Sequence, residues 1–430
     1  MPRSDAICVR PSPAAKLGGT AAFWLLALTL GLLLFASSAP SPLYVVYQAE
    51  WGFSALTLTS VFAVYALALL VALVMAGSVS DHVGRRPTLL LALAIEMAGM
   101  VLFAEARSVA WLFAARTLQG VGTGIAMGAI SAALLDLQPA RSPRLGALLG
   151  VAAPLTGLAS GALGAGLLVQ YGPDPTRLVY WLLFGAFALA TLVAGAIPET
   201  VRRDGPWLHS LRPRIAVPGT LRVAFVATIP CLVATWALGG LVLSLGPSLT
   251  ASVLGNTSHT AGGLAIFIMA GVSALASIGL RNAHARSTAR GGLTALILGV
   301  TVALIALHAG SLALFLLGAA TAGLGFGPAF AGAFRALSNR APTDQRAGLV
   351  SAILAVSYLA LSLPAIAAGA AVTQLGLQET ADIYGIVLIA LAIVALALSR
   401  QLQDPQSEAS AAGNSGPAIA VAAHHRRSDA

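Results

Sequence analysis

The stretch Gly77-Ser-Val-Ser-Asp81-His-Val-Gly84-Arg85-Arg86-Pro87 is a short polar segment between two long apolar runs. Residues 54–76 before it carry no charged side chain, and residues 88–104 after it carry only Glu96. A membrane-spanning helix needs about 20 predominantly apolar residues, whereas a soluble loop rarely lies between two runs of this kind. The pattern therefore predicts a tight cytoplasmic turn that joins two membrane-spanning helices.

The composition of the whole chain agrees with a membrane protein. Of its 430 residues, 58% are hydrophobic and 9% are charged, whereas a soluble domain carries roughly 25% charged residues. The net charge of +9 would suggest a nucleic-acid partner in a soluble protein, but here we interpret it as an orientation signal and expect no such partner. Two cysteines, one in a basic tail and one in an apolar run, do not indicate a disulfide framework.

The apolar segments predict an all-α membrane protein of twelve transmembrane helices. Each span is predicted as a helix because lipid offers the backbone no hydrogen-bond partners. The first run is too long for the apolar core of a signal peptide, about 7–15 residues, so we expect it to be retained. The predicted spans cover residues 20–47, 54–78, 87–105, 109–135, 145–171, 178–197, 222–248, 261–280, 291–308, 311–335, 347–372 and 382–399.

The chain also repeats itself at an offset of 203 residues. Gly120, Gly122 and Gly124, followed by Pro139, recur as Gly323, Gly325 and Gly327, followed by Pro342. The fourth span thus corresponds to the tenth, although Gly-rich membrane helices can also resemble each other by chance. The repeat predicts two pseudo-symmetric six-helix bundles, as in many transporters. The predicted parts are an N-terminal tail (1–19), a first bundle (20–198), a linker (199–221), a second bundle (222–400) and a disordered tail (401–430).

The basic residues test this topology. If the N-terminus lies in the cytoplasm, 21 of the 24 basic residues lie on the inner side. Only Arg107 and Arg177 lie outside, and Arg116 remains within a span. This agrees with the positive-inside rule and places both termini in the cytoplasm. Because Lys16 is the only lysine and Ala and Gly are frequent, we expect a GC-rich bacterial genome and therefore the bacterial inner membrane.

With these features, the chain resembles the twelve-helix major facilitator superfamily transporters over about residues 20–400, and is similar to the drug:proton antiporters among them. The opening stretch resembles the family's signature between helices two and three, Gly-x-x-x-Asp-(Arg/Lys)-x-Gly-Arg-(Arg/Lys), with His82 in place of a basic residue. The matching residues are Gly77, Asp81, Gly84, Arg85 and Arg86.

For this stretch the resemblance implies a latch that holds the cytoplasmic side closed. Gly77 would let another helix approach, and Asp81 with the arginines would make the charge contacts. Asp81 could face the positive N-terminal end of a neighbouring helix. The alternative is that these charges only fix the topology. His284 occupies the position of Asp81 in the second half, so any latch is expected to be asymmetric.

The stretch Arg116-Thr-Leu-Gln119-Gly120-Val-Gly122 resembles the family's fourth-helix motif, Arg-x-x-Gln-Gly-x-Gly. Glu96 precedes the predicted hairpin around residue 107 by 11 residues and Arg116 follows it by 9, so we expect the two side chains at similar depth. A charge within a span is costly unless it is paired or faces water. We therefore expect Glu96 to pair with Arg116 or to carry a coupling proton. The alternatives are a neutral, packed Glu96 and an Arg116 that extends to the outer surface.

The fifth span resembles, in eroded form, the antiporter signature Gly-Pro-x-x-Gly-Gly. Pro154 and Gly157 match, Ala153 and Leu158 depart from it, and Gly161 continues the row of small residues. Ordinary close helix packing is the alternative interpretation. Pro198-Glu199-Thr200 closes the sixth span as in many family members.

The resemblance also implies a substrate cavity formed by helices one, four, seven and ten. Because the polar groups available there are few and mostly uncharged, they favour hydrophobic or amphipathic ligands, including cationic ones. Each of these residues could equally serve helix packing. They are Ser37, Ser38, Gln119, Thr123, Thr235, Trp236 and Thr321, together with Tyr65 from the second span.

The sequence therefore predicts a monomeric, proton-driven exporter of small lipophilic compounds that works by alternating access. Its expected partners are the substrate, protons and the lipid bilayer, with no cofactor beyond the proton gradient and no metal. The alternatives are symport of a small metabolite into the cell and a non-transporting membrane receptor or scaffold. An enzyme is disfavoured, since no nucleophile–base or metal-ligand pattern is present.

Overall fold

The computed structural model describes residues 17–76, 79–142, 145–201, 215–256 and 258–399. These ranges are helical, and no strand occurs within them. Gly77, most of the predicted linker, most of the predicted N-terminal tail and the whole predicted C-terminal tail lie outside the described residues. The predictions for these segments are therefore not addressed by the structure.

The helices divide by sequence into two groups, one on each side of the predicted linker. The first group consists of α1 (Gly19–Ser38), α2 (Pro40–Trp51), α3 (Ala55–Ala76), α4 (Val79–Val83), α5 (Arg85–Ala104), α6 (Val109–Asp136), α7 (Leu145–Tyr171) and α8 (Leu178–Ala194).

The second group begins with a 3₁₀ turn, Gly219–Leu221, and contains a π-helical turn, Leu249–Val253. Its α-helices are α9 (Arg222–Ser244), α10 (Gly246–Ser248), α11 (His259–Gly279), α12 (Ala285–Ala309), α13 (Leu312–Ser338), α14 (Arg346–Leu375) and α15 (Leu377–Leu398).

Eleven helical stretches of the described chain are long and apolar enough to cross a membrane, with Gly19–Trp51 counted as one. Helix α8 is apolar but has only 17 residues. The chain is thus a multi-pass, all-helical membrane protein. The predicted count of twelve spans and the predicted orientation of the termini remain predictions.

Prolines and glycines set several helix boundaries. Pro40 is the first residue of α2 and has no backbone N–H, so it separates α2 from α1. Gly52, with a φ of 65°, ends α2 in the left-handed conformation that glycine adopts without steric cost. Gly310 ends α12 in the same way.

Helices that are related by the predicted offset of 203 residues pack in the same arrangement. Helix α6 packs on α3 and α5, and α13 packs on α11 and α12. Gly120 of α6 lies against the backbone carbonyl of Tyr65, and its counterpart Gly323 lies against the carbonyl of Met269. A β-carbon at either glycine would collide with that carbonyl. The glycine pattern therefore allows the same close approach of backbones in both groups.

The two helix groups meet along α7 with α11 and along α3 with α14. We call the two ends of the molecule the Asp81 end, which contains α4, and the His259 end, where α11 begins. At the His259 end the groups touch, since the backbone N–H of His259 donates to Gln170 Oε1 at 3.1 Å. At the Asp81 end a cleft of about 1020 Å³ separates the start of α7 from α11 and α13. The groups are thus packed together at one end and separated at the other.

Candidate functional site

Arg116, on α6, is the centre of a buried polar cluster in the first helix group. Its side chain is 0% exposed. The guanidinium donates to Tyr44 Oη at 2.5 Å, to the backbone carbonyl of Ser37 at 2.9 Å and to Gln119 Oε1 at 2.7 Å. All three acceptors are uncharged. The structure therefore stabilises the buried charge with neutral dipoles, and the proposed extension of Arg116 to the outer surface is wrong.

Aromatic rings enclose the same guanidinium. Its central carbon lies 5.4 Å from the ring centroid of Tyr44, 5.2 Å from that of Tyr65 and 5.9 Å from that of Phe103. A cation within about 6 Å of an aromatic face is attracted by the ring quadrupole, and more strongly in a desolvated site. These rings therefore contribute to holding a positive charge within a membrane-spanning helix.

The break between α1 and α2 supplies acceptors for this cluster. In an unbroken helix the carbonyl of Ala36 would accept from the N–H of residue 40, but Pro40 has none. Gln119 Nε2 donates to that free carbonyl at 2.9 Å. Through Gln119 and Arg116, α6 is therefore hydrogen-bonded to the backbone of α1 just before the break.

Glu96, on α5, lies in the same region and is also 0% exposed. Its Oε1 accepts from the hydroxyl of Thr123 at 2.7 Å. Among the described residues no ion pair within 4.0 Å joins Glu96 to Arg116. The structure thus places the two charged residues near each other, as expected, but the predicted direct pair does not form. Gly122, on the adjacent turn of α6, leaves the space that Glu96 occupies.

Three polar atoms of this cluster are buried and have no hydrogen-bond partner in the described structure: Tyr65 Oη, Glu96 Oε2 and Arg116 Nη2. Buried polar groups are usually paired, so such atoms indicate a place for a proton, a water molecule or a ligand. One of these atoms is Oε2 of Glu96, which is the only acid in the middle of a predicted span. The cluster is therefore chemically suited to exchange a proton.

The residues predicted to line the substrate cavity do not lie together in the structure. Gln119, Thr123 and Tyr65 belong to the buried Arg116–Glu96 cluster, in which Gln119 and Thr123 serve as its hydrogen-bond partners. Ser38 and Thr235 each donate to a carbonyl of their own helix. Their hydroxyls therefore satisfy local backbone groups, which agrees with the packing alternative.

Trp236, on α9, and Thr321, on α13, lie in different surroundings. The Trp236 ring makes edge contacts with Phe330 at 5.4 Å and with Tyr358 at 4.9 Å between centroids, and its buried Nε1 has no partner in the described structure. Thr321 donates to the carbonyl of Leu317, whose own side chain is exposed. The structure does not bring Thr321 to Trp236.

Tyr358 links this aromatic cluster to the first helix group. Its hydroxyl contacts the sulfur of Met127 on α6 at 3.9 Å. The aromatic cluster of Trp236, Phe330 and Tyr358 thus faces the boundary between the groups. Sequence reasoning missed Phe330 and Tyr358 because isolated aromatic residues in apolar spans carry no signal of their own.

The predicted latch segment forms a charged network at the Asp81 end. Asp81 pairs with Arg85, whose Nη1 also donates to Ser80 Oγ at 2.6 Å and whose Nε lies 3.5 Å from Asp136 at the end of α6. Among the described residues, the recorded side-chain partners of Asp81 and Arg85 belong to the first helix group. The recorded side-chain contacts of Asp81 and Arg85 therefore do not join the two helix groups.

The expected carboxylate at a helix N-terminus is Glu199 rather than Asp81. Glu199 Oε1 and Oε2 accept the backbone N–H groups of Arg85 and Arg86 at 2.8 and 3.1 Å, at the first turn of α5. Asp81 is half exposed and pairs within its own segment. Sequence reasoning noted Glu199 as part of a terminal motif but did not assign it this role.

The small residues of α7 pack against α1. Gly157 lies against the backbone of Gly31, and Gly161 lies against the carbonyl of Phe35 and the hydroxyl of Ser38. Pro154 lies within the same helix. These contacts are those expected from the packing alternative, so the antiporter interpretation of this stretch remains a prediction.

Within the described residues, no group of three or more His, Cys, Asp or Glu side chains is arranged to hold a metal ion. The charged residues that the sequence predicted to be functional lie in the Arg116–Glu96 cluster and in the latch segment at the Asp81 end.

The chain is similar to one known protein family and to solved structures. The sequence model of the Major Facilitator Superfamily matches residues 26–363. No curated protein matches the chain. Similar solved structures include a mutant of the nucleoside transporter NupG, with 15% identity, a TM-score of 0.68 and coverage of 88% of this chain and 99% of that chain.

Two structures of a POT family transporter are also similar. One, in complex with 5-aminolevulinic acid, has 13% identity and a TM-score of 0.70. The other, in complex with a thioalcohol-conjugated peptide, has 14% identity and a TM-score of 0.71. Each covers 90% of this chain and 97% of its own. At these identities the structural likeness shows a shared fold.

Proposed function

This chain belongs to the Major Facilitator Superfamily, and from that premise we propose that it exports small lipophilic compounds in exchange for protons. The superfamily consists of transporters, so the chain is not an enzyme. The observation that supports proton coupling most strongly is the buried Arg116–Glu96 cluster. Its unpartnered carboxylate oxygen lies within a membrane-spanning helix, where an ionisable residue usually serves a function.

We further propose twelve spans, in which α8 is added to the eleven longer helical stretches. Its 17 residues extend about 25 Å at 1.5 Å per residue, which approaches the thickness of a bilayer core. An even number of spans places both termini on the same side, and the basic residues place that side in the cytoplasm. The Asp81 end is then cytoplasmic, and the protein acts as a monomer in a bacterial inner membrane.

Protonation of Glu96 is the proposed coupling event. A neutral Glu96 has no charge to interact with Arg116, whereas an ionised one attracts the guanidinium. Because Arg116 and Gln119 hold the backbone of α1, a shift of Arg116 towards Glu96 would strain or release those bonds. The charge on Glu96 would thereby change how α6 packs on α1.

Alternating access then follows from the contact between the helix groups. The groups are packed at the His259 end and separated at the Asp81 end, which corresponds to a cavity open to the cytoplasm. Closing the Asp81 end would bring the latch segment within reach of the second group. The charged network around Arg85 is proposed to make contacts across the groups in that state only.

The aromatic cluster of Trp236, Phe330 and Tyr358 supports a lipophilic substrate. Edge-on rings at the boundary between the groups offer an apolar surface, and the unpartnered Trp236 Nε1 offers one hydrogen-bond donor. Pockets of this kind bind apolar molecules and orient them through a few polar groups.

Symport of a small metabolite is the second candidate. Arg116 Nη2 is an unpartnered donor on a permanent cation, and a substrate carboxylate is a suitable partner for it. One solved structure of similar fold holds 5-aminolevulinic acid. Symport by this route requires the substrate to reach the buried Arg116–Glu96 cluster.

Transport into membrane vesicles of the two orientations tests both candidates, with everted vesicles used for export. With an acidic lumen, the exporter should accumulate lipophilic dyes, and a protonophore should abolish accumulation. Nucleosides, 5-aminolevulinic acid and dipeptides serve as the competing panel, measured in right-side-out vesicles with an inward proton gradient. Gradient-driven accumulation of these metabolites alone would favour symport, and no gradient-driven transport of any kind would contradict proton coupling.

A further inference from the structure

The cleft at the Asp81 end has a cationic rim. It is bordered by the start of α7 in the first helix group and by the ends of α11 and α13 in the second. Arg281, Asn282, Arg335 and Asn339 lie at its edge. No acidic residue lines it among the described residues. A cleft of about 1020 Å³ with two arginines and no acid is complementary to an anionic group.

Neutral acceptors hold Arg335 in place without cancelling its charge. Its Nη1 donates to the backbone carbonyl of Arg281 at 2.7 Å, its Nη2 to the hydroxyl of Thr288 at 3.3 Å and its Nε to the carbonyl of Ala331 at 3.3 Å. Neither Arg281 nor Arg335 takes part in an ion pair within 4.0 Å in the described part of the chain. The two guanidinium groups therefore remain available to an external anion.

The wall of the cleft becomes apolar with depth. Along α13, Asn339 and Arg335 at the edge give way to Ala331 and Pro328, a distance of about 16 Å at 1.5 Å per residue. The facing wall, on α7, is formed by residues such as Leu148 and Val151. The cleft thus combines a cationic edge with a mostly apolar wall, to which Ser277 and Thr288 add hydroxyl groups.

This polarity distinguishes between possible occupants. A free inorganic anion would leave the apolar wall without a partner. A lipophilic cation would match the wall but would be repelled by the two arginines. A phospholipid with a net negative headgroup matches both parts, and the side chain of Val151 on the wall is 41% exposed, so it is accessible to an acyl chain in the cleft.

We propose that this cleft binds an anionic phospholipid, with its phosphate between Arg281 and Arg335 and an acyl chain along α7 and α13. The proposed orientation places the cleft at the cytoplasmic leaflet, where anionic lipids bind basic sites between helices. Because the two walls belong to different helix groups, the bound lipid stabilises their separation at the Asp81 end. Lipid binding itself does not require the chain to transport lipophilic compounds.

Native mass spectrometry of the full-length protein, titrated with palmitoyl-oleoyl phosphatidylglycerol or phosphatidylcholine, tests the proposal. We expect wild-type protein to bind phosphatidylglycerol more tightly than phosphatidylcholine. Arg281→Gln should weaken phosphatidylglycerol binding about fivefold, the loss expected for one arginine near an anionic surface. The Arg281 side chain is exposed, and its only recorded hydrogen bond within the described chain goes to the Ile278 carbonyl at the end of α11. The bond from Arg335 reaches the backbone carbonyl of Arg281, which the substitution keeps, so this variant should fold. The double variant with Arg335→Gln should lose more.

Arg290→Gln is the matched control, since Arg290 is an exposed arginine at the same end that lies outside the cleft. Equal weakening in Arg281→Gln and Arg290→Gln would overturn the proposal in favour of general charge attraction, and so would unchanged binding in Arg281→Gln. Ala331→Trp tests the apolar wall and should also reduce binding. Displacement of the lipid by millimolar glycerol phosphate would show a site for soluble anions and would equally overturn it.

Discussion

The Glu199 carboxylate accepts the backbone N–H of Arg85 at 2.8 Å, although the two residues lie 114 positions apart in the chain. Its second oxygen accepts the N–H of Arg86. The first N–H groups of a helix have no partner within the helix, and a negative charge there is favoured by the helix dipole. The residue that opens the predicted linker therefore fixes the start of α5, and with it the arginines of the latch segment.

Glu199→Gln should destabilise the fold slightly. The amide keeps one acceptor but loses the charge and the second acceptor, which costs roughly 0.5–1 kcal/mol at a helix N-terminus. Thermal unfolding of the purified protein measures the effect. Glu50→Gln is the control, because Glu50 is exposed near the C-terminal end of α2. Equal stability of both variants and wild type would contradict a stabilising role for Glu199.

Gly84→Ala should destabilise the same region more strongly. Gly84 has a φ of 107°, a conformation that is strained for any residue with a β-carbon. Its β-carbon would also meet the Glu199 carboxylate. We expect a loss of about 1–3 kcal/mol, measured by thermal unfolding. Gly185→Ala, where a β-carbon meets no atom within 4 Å, should leave the unfolding temperature nearly unchanged; a similar loss there would point to a general effect of the substitution.

Glu96→Gln should uncouple transport from the proton gradient. Glutamine can still accept the Thr123 hydroxyl, so the packing should persist, but it cannot carry an exchangeable proton. We expect gradient-driven dye accumulation to fall at least tenfold, while exchange of dye across the membrane without a gradient continues. Glu105→Gln, outside the buried cluster at the His259 end, is the control. A Glu96→Gln protein with wild-type rate and unchanged pH dependence would refute the proposed proton site.

Arg116→Lys should not preserve function although it preserves the charge. A lysine ammonium lacks the planar fork that bonds Tyr44, Ser37 and Gln119 together. A hydrogen bond to a charged group contributes about 1.5–3 kcal/mol, so the loss of one or more of these bonds should decrease both stability and transport. Arg107→Lys, in the loop between α5 and α6, supplies the comparison in unfolding and vesicle assays. Equal behaviour of the two variants would exclude a specific role for the guanidinium.

Trp236→Phe and Trp236→Ala separate the two possible contributions of this residue. Phenylalanine keeps an aromatic edge for Phe330 and Tyr358 but removes the unpartnered N–H, whereas alanine removes both. If the ring binds substrate, KM for dyes should rise several-fold in the alanine variant and little in the phenylalanine variant. If the N–H binds an acceptor on the substrate, both variants should show a raised KM. Unchanged KM in both would remove Trp236 from the site.

The apolar runs were sufficient to predict the membrane class and the helical fold, whereas the orientation predicted from the arginine distribution remains a prediction. Hydropathy predicts these features because every backbone group within a bilayer must be satisfied inside its own segment, which leaves few structures possible. The Gly120 and Gly323 motifs likewise predicted matching spans, since close approach of backbones requires small residues. These properties depend on local composition, which is visible without coordinates.

The partners of the charged residues were decided by tertiary structure alone. Sequence reasoning brought Glu96 and Arg116 to similar depth, but depth does not fix the direction of a side chain around its helix. Arg116 instead bonds Tyr44 and the carbonyl of Ser37 beside a break caused by Pro40, and Glu96 bonds Thr123. The capping role of Glu199 and the position of Trp236 beside Tyr358 likewise arise from contacts between distant segments. Such contacts depend on how helices rotate and pack, for which hydropathy carries no signal.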